Sequence, residues 1–462
     1  MLKLQLRFLL TTLLFSATAL AQTPPPQQLS PKAAYYDAMH PLDVTRHSVA
    51  NWSDVEIAAL KVAINRAQKG CAARDPKSYT GEDLIDLVRL CSLGQRWPSV
   101  VQAATLYINA DTPAKPLLAQ AYAGQIDADL HLKDEAAALV SARTMLTAVP
   151  YDTLTAETIG EAVSYMQFVD TSDALALATA RQPLLLARLQ ATASSATEAT
   201  PSADEPPQSL HELYADGLAL PALQQLAKLP PADVAATVTA LDAALPQTLS
   251  PDDAIPIAAS RRRYALLGKP LPKIAGLSYL SMPNELPELP AKNALTALLL
   301  FPDWCAQCVR MGSQFPETVF TVEGHEAYVY GLLAQTVPPR KPMLPPPGST
   351  AKDAPASTAY LPSDYNPSDA ANLLRETPTI VVGPALLDQF AATDVPLLIL
   401  TDPQGIVRVV QPVDQDALTR GGTIDSAIAR VGAQWPSPLL TPKKPAPGVP
   451  APAGGVPSHP HP

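Results

Sequence analysis

The chain has 462 residues and carries 33 Lys and Arg against 43 Asp and Glu, which gives a formal net charge of −10 at pH 7. An acidic balance argues against nucleic acid or an anionic membrane surface as a general partner. The length and a hydrophobic content of 47% predict two or three domains with real cores, whereas 51 prolines require linker or tail segments.

Residues 1–21 have the three-part layout of a secretory signal peptide. Lys3 and Arg7 precede an apolar stretch, and the small-residue frame at 19–21 predicts cleavage before Gln22. The alternative is a membrane anchor, but the apolar stretch falls well short of the roughly 20 residues that span a bilayer. We expect a periplasmic or secreted protein without a stable membrane span after signal cleavage.

Residues 22–49 begin with prolines and are predicted to be a flexible N-terminal segment. Helical signals start at Ser53, which stands before Asp54-Val55-Glu56 in the form of a capping box, and Gly70 is the expected stop. A second cap-like start at Thr80 leads into another apolar helical pattern.

Short alanine-rich helical patterns then follow one another with brief turns between them. They cover residues near 98–108, 116–132 and 134–148, and more weakly 154–190. Such a succession is typical of stacked helical hairpins, so residues 50–190 are predicted to form an all-α helical-hairpin domain.

Two segments, around 93–97 and 132–136, lie at similar points of successive hairpins and resemble tetratricopeptide-type repeats. The characteristic large and small positions are met only loosely. The resemblance implies a protein partner on the helical domain. The alternative is an ordinary alanine-rich helical domain without a partner groove.

The four cysteines divide into two pairs, and the first pair is Cys71 and Cys91. Antiparallel helices bring them together if the chain folds back between them. In an oxidising compartment they would then form a disulfide that closes a loop of about 20 residues and adds roughly 3 kcal/mol. Two separate buried thiols are the alternative, and a second redox pair is the weaker one.

Three further segments are assigned from composition. Residues 191–208 are poor in large apolar side chains and are predicted to be a linker, and 209–267 form a smaller helical connector. Residues 436–462 contain 10 prolines and are predicted to be a disordered tail. His459 and His461 lie in that tail, where we expect no metal site.

The second cysteine pair, Cys305 and Cys308, follows an apolar run of strand length at 293–301. Pro302 ends this run, and a helix can start at Cys305. A sulfur at a helix start lies near unpaired N–H groups, which favour thiolate over thiol. Cys305 is therefore the predicted nucleophile, and Cys308, one turn further and facing inward, is the predicted resolving thiol.

The spacing of Cys305 and Cys308 also has other interpretations. A structural zinc site needs four ligands, and no second closely spaced pair of cysteines accompanies Cys305 and Cys308. A chance spacing and a purely structural disulfide are the remaining alternatives. The strand before the pair favours redox chemistry, which needs neither a metal nor another cofactor.

At this point the sequence resembles the exported TlpA-like disulfide reductase branch of the thioredoxin-like superfamily, over roughly 268–435. The matching segments are 268–272, 301–308, 386–390, 393–396, 397–400 and 402–407. The resemblance implies a thioredoxin-like α/β domain with Pro396 as a cis-proline beside the sulfurs. It also implies that Trp304, Val395 and Pro396 bind protein disulfide substrates, and that a redox partner protein recycles the cysteines.

The chain departs from the family pattern at two positions where a buried carboxylate is expected, because Leu299 and Met311 stand there. Their absence puts the proton transfer of the resolving step in doubt. Asp303 is close in sequence, but we expect it to be exposed. An insertion at 337–378 is predicted to be a loop in its first half and a helix at 368–376.

The sequence therefore predicts an α+β multidomain protein, with an N-terminal all-α helical-hairpin domain followed by a C-terminal α/β thioredoxin-like domain. The predicted function is that of an exported thiol–disulfide oxidoreductase. The alternative is a helical-repeat scaffold or adaptor whose thioredoxin-like domain has weak or lost redox activity.

Overall fold

A computed structural model describes residues 28–45, 54–112, 114–195, 209–281, 285–313, 319–322, 324–335, 341–342, 359–360, 367–393, 395–413 and 422–435. The N-terminal part is helical and the C-terminal part contains a mixed sheet, which together give an α+β layout. The predicted signal peptide at 1–21, the tail at 436–462 and Ser53 of the expected capping box lie outside the described residues.

The helical region contains eight α-helices within the described ranges. In chain order they are α1 (Pro31–Asp43), α2 (Asp54–Ala72), α3 (Glu82–Leu93), α4 (Trp97–Ile108), α5 (Leu118–His131), α6 (Glu135–Ala148), α7 (Thr153–Val169) and α8 (Thr171–Ser195). None of them combines the length and apolar character of a bilayer-spanning segment.

Helix α1 lies inside the segment that we predicted to be flexible, so that prediction is wrong for residues 31–43. The Ser30 hydroxyl caps the helix by accepting the N–H of Ala33, and Pro31 occupies the first turn, where no N–H is needed. Ala38 and Leu42 are buried on its inner face. The packing of this face against α2 and α3 stabilises the helix.

Helix α2 continues to Ala72, past the stop that we predicted at Gly70. Gly70 keeps a helical backbone, and a Cβ at this position would lie 3.5 Å from the side chain of Leu90, an ordinary contact distance, so the helix does not require glycine here. Gly94, in contrast, is required by close approach. A Cβ there would lie 2.6 Å from the backbone nitrogen of Gln68, so only glycine lets α2 and the end of α3 pack this closely.

Helices α3 to α8 pack on their sequence neighbours around two buried clusters, one built on Leu87, Leu90 and Val100 and one on Met145 and Met166. The region predicted as 154–190 divides at Asp170, whose carboxylate accepts the N–H groups of the next helix. Helix α8 runs to Ser195, so the first five residues of the predicted linker are helical.

The connector forms four helices around a third cluster. They are α9 (Leu210–Gly217), α10 (Ala219–Leu226), α11 (Pro231–Ala243) and α12 (Pro251–Tyr264). Ser209 and Glu212 form a reciprocal capping box at the start of α9. Leu213 and Leu241 pack against Leu185 and Leu189 of α8, which fixes the connector onto the helical region.

The remaining elements are β1 (Gly276–Tyr279), β2 (Leu295–Pro302), α13 (Ala306–Gly312), β3 (Val319–Val322), β4 (His325–Ala334), β5 (Lys341–Pro342), β6 (Ala359–Tyr360), α14 (Pro367–Leu373), β7 (Thr379–Val382), α15 (Ala385–Gln389), β8 (Leu397–Thr401), β9 (Val407–Pro412) and α16 (Gly422–Gln434). The main sheet has the order β1-β7-β4-β2-β8-β9, and β3 pairs with β4. Strand β2 is parallel to β4 and antiparallel to β8.

Every residue of β2 is buried because both faces of the sheet are covered. Leu299 and Phe301 pack in the cluster that includes residues of α13 and α16, whereas Leu298 and Leu300 pack in the cluster on the opposite face with Phe390. An apolar run without polar alternation is the pattern expected of such a central strand.

Only parts of the predicted insertion at 337–378 are described. Strands β5 and β6 form a two-residue antiparallel ladder, and α14 spans Pro367–Leu373, which includes the predicted helix at 368–376 except for its last three residues. Leu374, the residue just after that helix, is buried in the hydrophobic cluster that also contains Cys305 and Cys308.

The helical region packs directly onto the sheet region. Phe168 of α7 belongs to the same buried cluster as Val413 and Ile428. The Nε2 of Gln167 donates to Oε1 of Gln411 at 2.9 Å, which joins α7 to β9. Both regions thus share an interior surface at the β9 edge of the sheet.

Candidate functional site: the Cys305–Cys308 pair

The chain leaves the central strand β2 directly into the pair. Pro302 ends the strand, and Cys305 is the N-cap residue of α13. The Cys305 carbonyl accepts the first intrahelical bond, from Val309 at 3.0 Å. The buried strand and the new helix together fix the position of the first cysteine at a strand-to-helix turn.

Cys305 and Cys308 are joined by a disulfide, with an S–S distance of 2.00 Å. The Sγ of Cys305 also accepts the N–H of Cys308 at 3.3 Å. Cys305 is 5% exposed, whereas Cys308 is completely buried. Cys305 therefore keeps a small contact with solvent, whereas Cys308 has none.

Pro396 lies at the start of β8, beside the end of β2. Leu397 pairs with Leu300 in the antiparallel register, so the residues just before Leu397 lie next to the segment that leads to Cys305. The Val395–Pro396 peptide bond is cis. The Pro396 carbonyl accepts the N–H of Val413, whereas the Val395 backbone forms no hydrogen bond within the described chain.

Trp304 and Val395 flank the pair. Both side chains are half-buried and pack against the cluster that contains Cys305 and Cys308. The structure thus brings together all five residues that the sequence assigned to this site.

The groups behind the sulfurs are apolar where the family pattern has carboxylates. Leu299 and Met311 are both buried in the core that surrounds the disulfide. Asp303 was expected to be exposed, and this expectation is wrong. It is only 6% exposed because its N–H bonds to the Ala334 carbonyl, which holds the residue between the ends of β2 and β4.

A second carboxyl group near this core is Asp425, in the first turn of α16. Burial raises its pKa, and its Oδ1 has no hydrogen-bond partner among the described residues. Ile424 and Ala427 of the same turn pack in the cluster that contains the cysteines. No sequence pattern pointed to this residue, because an Asp in the first turn of a helix is normally solvent-exposed.

The other pair, Cys71 and Cys91, is far from this site and is also joined by a disulfide, at 2.01 Å. Both residues are buried between α2 and α3. The structure therefore contains the predicted disulfide between Cys71 and Cys91 and not two separate buried thiols.

No group of three or more His, Cys, Asp or Glu side chains that could hold a metal ion occurs within the described ranges. His459 and His461 lie outside them.

Comparisons with protein-family models, with curated proteins and with solved structures find no match to this chain.

Proposed function

We propose that this chain is an exported thiol–disulfide oxidoreductase with a thioredoxin-like C-terminal domain, which exchanges disulfides with protein substrates through Cys305 and Cys308. One observation carries the proposal. A bonded cysteine pair lies at the end of a fully buried central strand, at a helix start, and next to a cis-proline on the neighbouring strand. A disulfide with only a packing role needs none of these three features.

In the reducing direction, the cycle starts from the dithiol. The Cys305 thiolate attacks one sulfur of a substrate disulfide, and the other substrate sulfur leaves as a thiolate. Cys308 then loses its proton and attacks the Cys305 sulfur, which releases the second substrate sulfur and forms the Cys305–Cys308 disulfide. Two electrons pass from the pair to the substrate, and a redox partner protein restores the dithiol.

The assignment of roles follows from access. Cys305, at 5% exposed, is the more accessible of the two cysteines, and its sulfur receives an N–H from the helix start, which favours the thiolate. Cys308 is inaccessible to a protein substrate and can react only with a sulfur already attached to Cys305. The Val395 backbone, which forms no hydrogen bond with the described residues, and the apolar Trp304 side chain are the groups that would hold an extended substrate segment.

The second candidate is a scaffold or adaptor in which the redox chemistry is weak or lost. Leu299 and Met311 favour it, because no carboxylate at those positions can handle the proton of Cys308. The helical region, with its repeat-like hairpins, would then supply the main binding surface for a protein partner.

Reduction of insulin by the purified chain separates the two candidates. The matched control is Cys305→Ser, which differs by one atom at the proposed nucleophile. Turnover that is lost in the control supports the oxidoreductase, whereas a wild-type chain without turnover supports the scaffold. Cys308→Ala should then retain substrates as mixed disulfides on Cys305, which identifies them by mass spectrometry.

A further inference from the structure

A serine, a histidine and an aspartate form a chain of hydrogen bonds where the connector helices α9 and α12 begin. The Oγ of Ser209 lies 3.2 Å from Nε2 of His211, and Nδ1 of His211 lies 3.3 Å from Oδ1 of Asp253. Ser209 is the N-cap residue of α9, and Asp253 lies in the first turn of α12. All three residues are partly exposed, so a small molecule can approach them from solvent.

The chemistry of these three groups determines where the protons lie. An ionised carboxylate only accepts hydrogen bonds, so Nδ1 of a neutral His211 carries the proton that it shares with Asp253. Nε2 is then the acceptor, and the hydroxyl of Ser209 donates to it. In such an arrangement the histidine can take the serine proton as a general base, and the carboxylate holds the imidazole in the required tautomer.

The carboxylate of Asp253 is itself held in place by Ser250. The Oγ of Ser250 donates to Oδ2 of Asp253 at 2.6 Å and accepts the N–H of Asp253 at 3.2 Å. The other carboxylate oxygen, Oδ1, is the one that lies beside His211. A fixed carboxylate keeps the imidazole oriented toward the serine, which a general base requires.

The capping role of Ser209 is compatible with this arrangement. Its Oγ accepts the N–H of Glu212 at 3.3 Å, and a hydroxyl has a second lone pair besides its one donor. The N–H groups of Leu210 and His211 belong to the first turn of α9, where intrahelical partners are lacking, and they form no hydrogen bond to the part of the chain that the structure describes. They are available to stabilise an oxyanion that forms beside Ser209.

The helix that Ser209 caps also lines a cleft of about 500 Å³. Glu212 and Asp216 of α9 contribute to this lining, and Ser209 precedes Glu212 by three residues. Residues three or four apart share a helix face, so Ser209 lies at the end of the face that lines the cleft. Leu218 and Leu267 make part of the lining apolar. A cleft of this size suits a small ligand, and its leucines favour an uncharged acyl chain.

We propose that Ser209, His211 and Asp253 form a hydrolytic site for small, uncharged carboxylic esters, which bind in this cleft. His211 takes the proton of Ser209 as the hydroxyl attacks the ester carbonyl, and it passes that proton to the departing alcohol. The acyl group stays on Ser209 as an ester. Water then attacks this acyl group with His211 again as the base, which releases the carboxylic acid and returns the proton to Ser209. The proposal does not depend on the redox function.

A fluorophosphonate probe, which reacts with activated serine hydroxyls, tests the proposal on the full-length chain with both disulfides formed. Peptide mass spectrometry should find the phosphonyl group on Ser209. The same protein should hydrolyse p-nitrophenyl butyrate at neutral pH, and Ser209→Asn should lower the rate at least about tenfold. Asparagine keeps the N-cap of α9 but has no hydroxyl, so this variant separates the chemistry from the stability of the helix.

The matched control is Ser30→Asn, which changes the N-cap serine of α1 in the same way and should leave the rate unchanged. His211→Gln should lower the rate to about the level of Ser209→Asn, because nucleophile and base act as a unit. Asp253→Asn should lower kcat and leave KM unchanged, because Asp253 positions His211 without touching the ester.

Two results would overturn the proposal. One is the absence of the phosphonyl group from Ser209 after the wild-type chain has been treated with the probe. The other is an equal rate of ester hydrolysis in the wild type and in Ser209→Asn. Either result would mean that Ser209, His211 and Asp253 only join the starts of α9 and α12.

Discussion

The carboxylate of Asp402 holds the guanidinium of Arg408 across the turn between β8 and β9. Its Oδ2 accepts hydrogen bonds from Nε at 2.8 Å and from Nη2 at 2.7 Å, although Asp402 is completely buried. Its Oδ1 accepts the N–H groups of Gln404 and Ile406 at 2.9 and 3.0 Å. One side chain thus shapes the turn and positions the arginine that covers Trp435.

We therefore expect Asp402→Ala to destabilise the protein by about 3–5 kcal/mol, because it leaves a partly buried guanidinium and two turn N–H groups without their acceptor. Asp402→Asn keeps one oxygen for the turn and should lose less. Urea unfolding of both variants measures the difference. A loss below about 1 kcal/mol for Asp402→Ala would show that solvent replaces the carboxylate.

Removal of the disulfide between α2 and α3 should destabilise the helical region. The bond closes a loop with a sequence separation of 20 residues. Cys71→Ala/Cys91→Ala should lower the free energy of unfolding by about 2–4 kcal/mol, since the unfolded chain regains the freedom of that loop. Denaturant titration followed by circular dichroism checks this.

The control for that experiment is Cys305→Ala/Cys308→Ala, which removes the other disulfide. That bond joins cysteines only three residues apart in the sequence. Because a short loop constrains the unfolded chain less, its effect through the unfolded state should be smaller. Equal losses in the two double variants would contradict the loop-entropy account.

After mild reduction, the two sulfurs of the candidate site should react at different rates. Cys305 borders the surface and Cys308 is fully buried, so iodoacetamide should modify Cys305 at least about tenfold faster. Timed quenching and peptide mass spectrometry give both rates. Modification of Cys308 at a comparable rate in the Cys305→Ser variant would show that the core opens around it.

The ionisation of Asp129 should make the stability of the protein depend on pH. Burial, and then the charge of Asp134, raise the pKa of Asp129 to about 6 from its ordinary value of 3.8. Between about pH 4 and about pH 6, the Asp129 carboxyl group is therefore protonated in the folded state and ionised in the unfolded state. The stabilising contribution of this group is complete below pH 3.8 and disappears as the pH rises through about 6.

Asp129→Asn removes this titration, so the variant should gain stability relative to the wild type as the pH rises from about 4 to about 7, by at most 1–2 kcal/mol. Melting temperatures of the two proteins across that pH range measure the gain. A constant difference over the whole range would show that Asp129 does not titrate between folded and unfolded states as described.

The individual helices and strands were largely predictable because short stretches of sequence determine them. The apolar run at 293–301 could only be buried on both faces, and it forms β2. The helix start at Asp134 follows from its capping carboxylate and the apolar spacing after it. The helix predicted from Thr80 instead has Gly81 at its N-cap and no side-chain cap, so only its apolar spacing was a valid signal. The Cys305–Cys308 pair needed only its spacing and the strand before it.

The contacts between distant segments were not predictable from sequence. Gln167 and Gln411 are 244 residues apart, and neither side chain carries a signal of its partner. Asp303 looked like an ordinary turn residue because its burial comes from β4, whose register no local pattern fixes. Helix α1 was missed since prolines precede it, although Ser30 and Pro31 are a cap signal.

Because of Phe168, no single residue number separates the helical region from the sheet region. It belongs to the helical region by sequence, yet it fills the interior of the sheet region beside Val413 and Ile428. A fragment beginning at residue 268 would keep the cysteine pair but would lack a side chain of its own hydrophobic core. The sheet region therefore lacks a complete hydrophobic core of its own. Moving it into another protein would require another side chain to fill the place of the Phe168 ring.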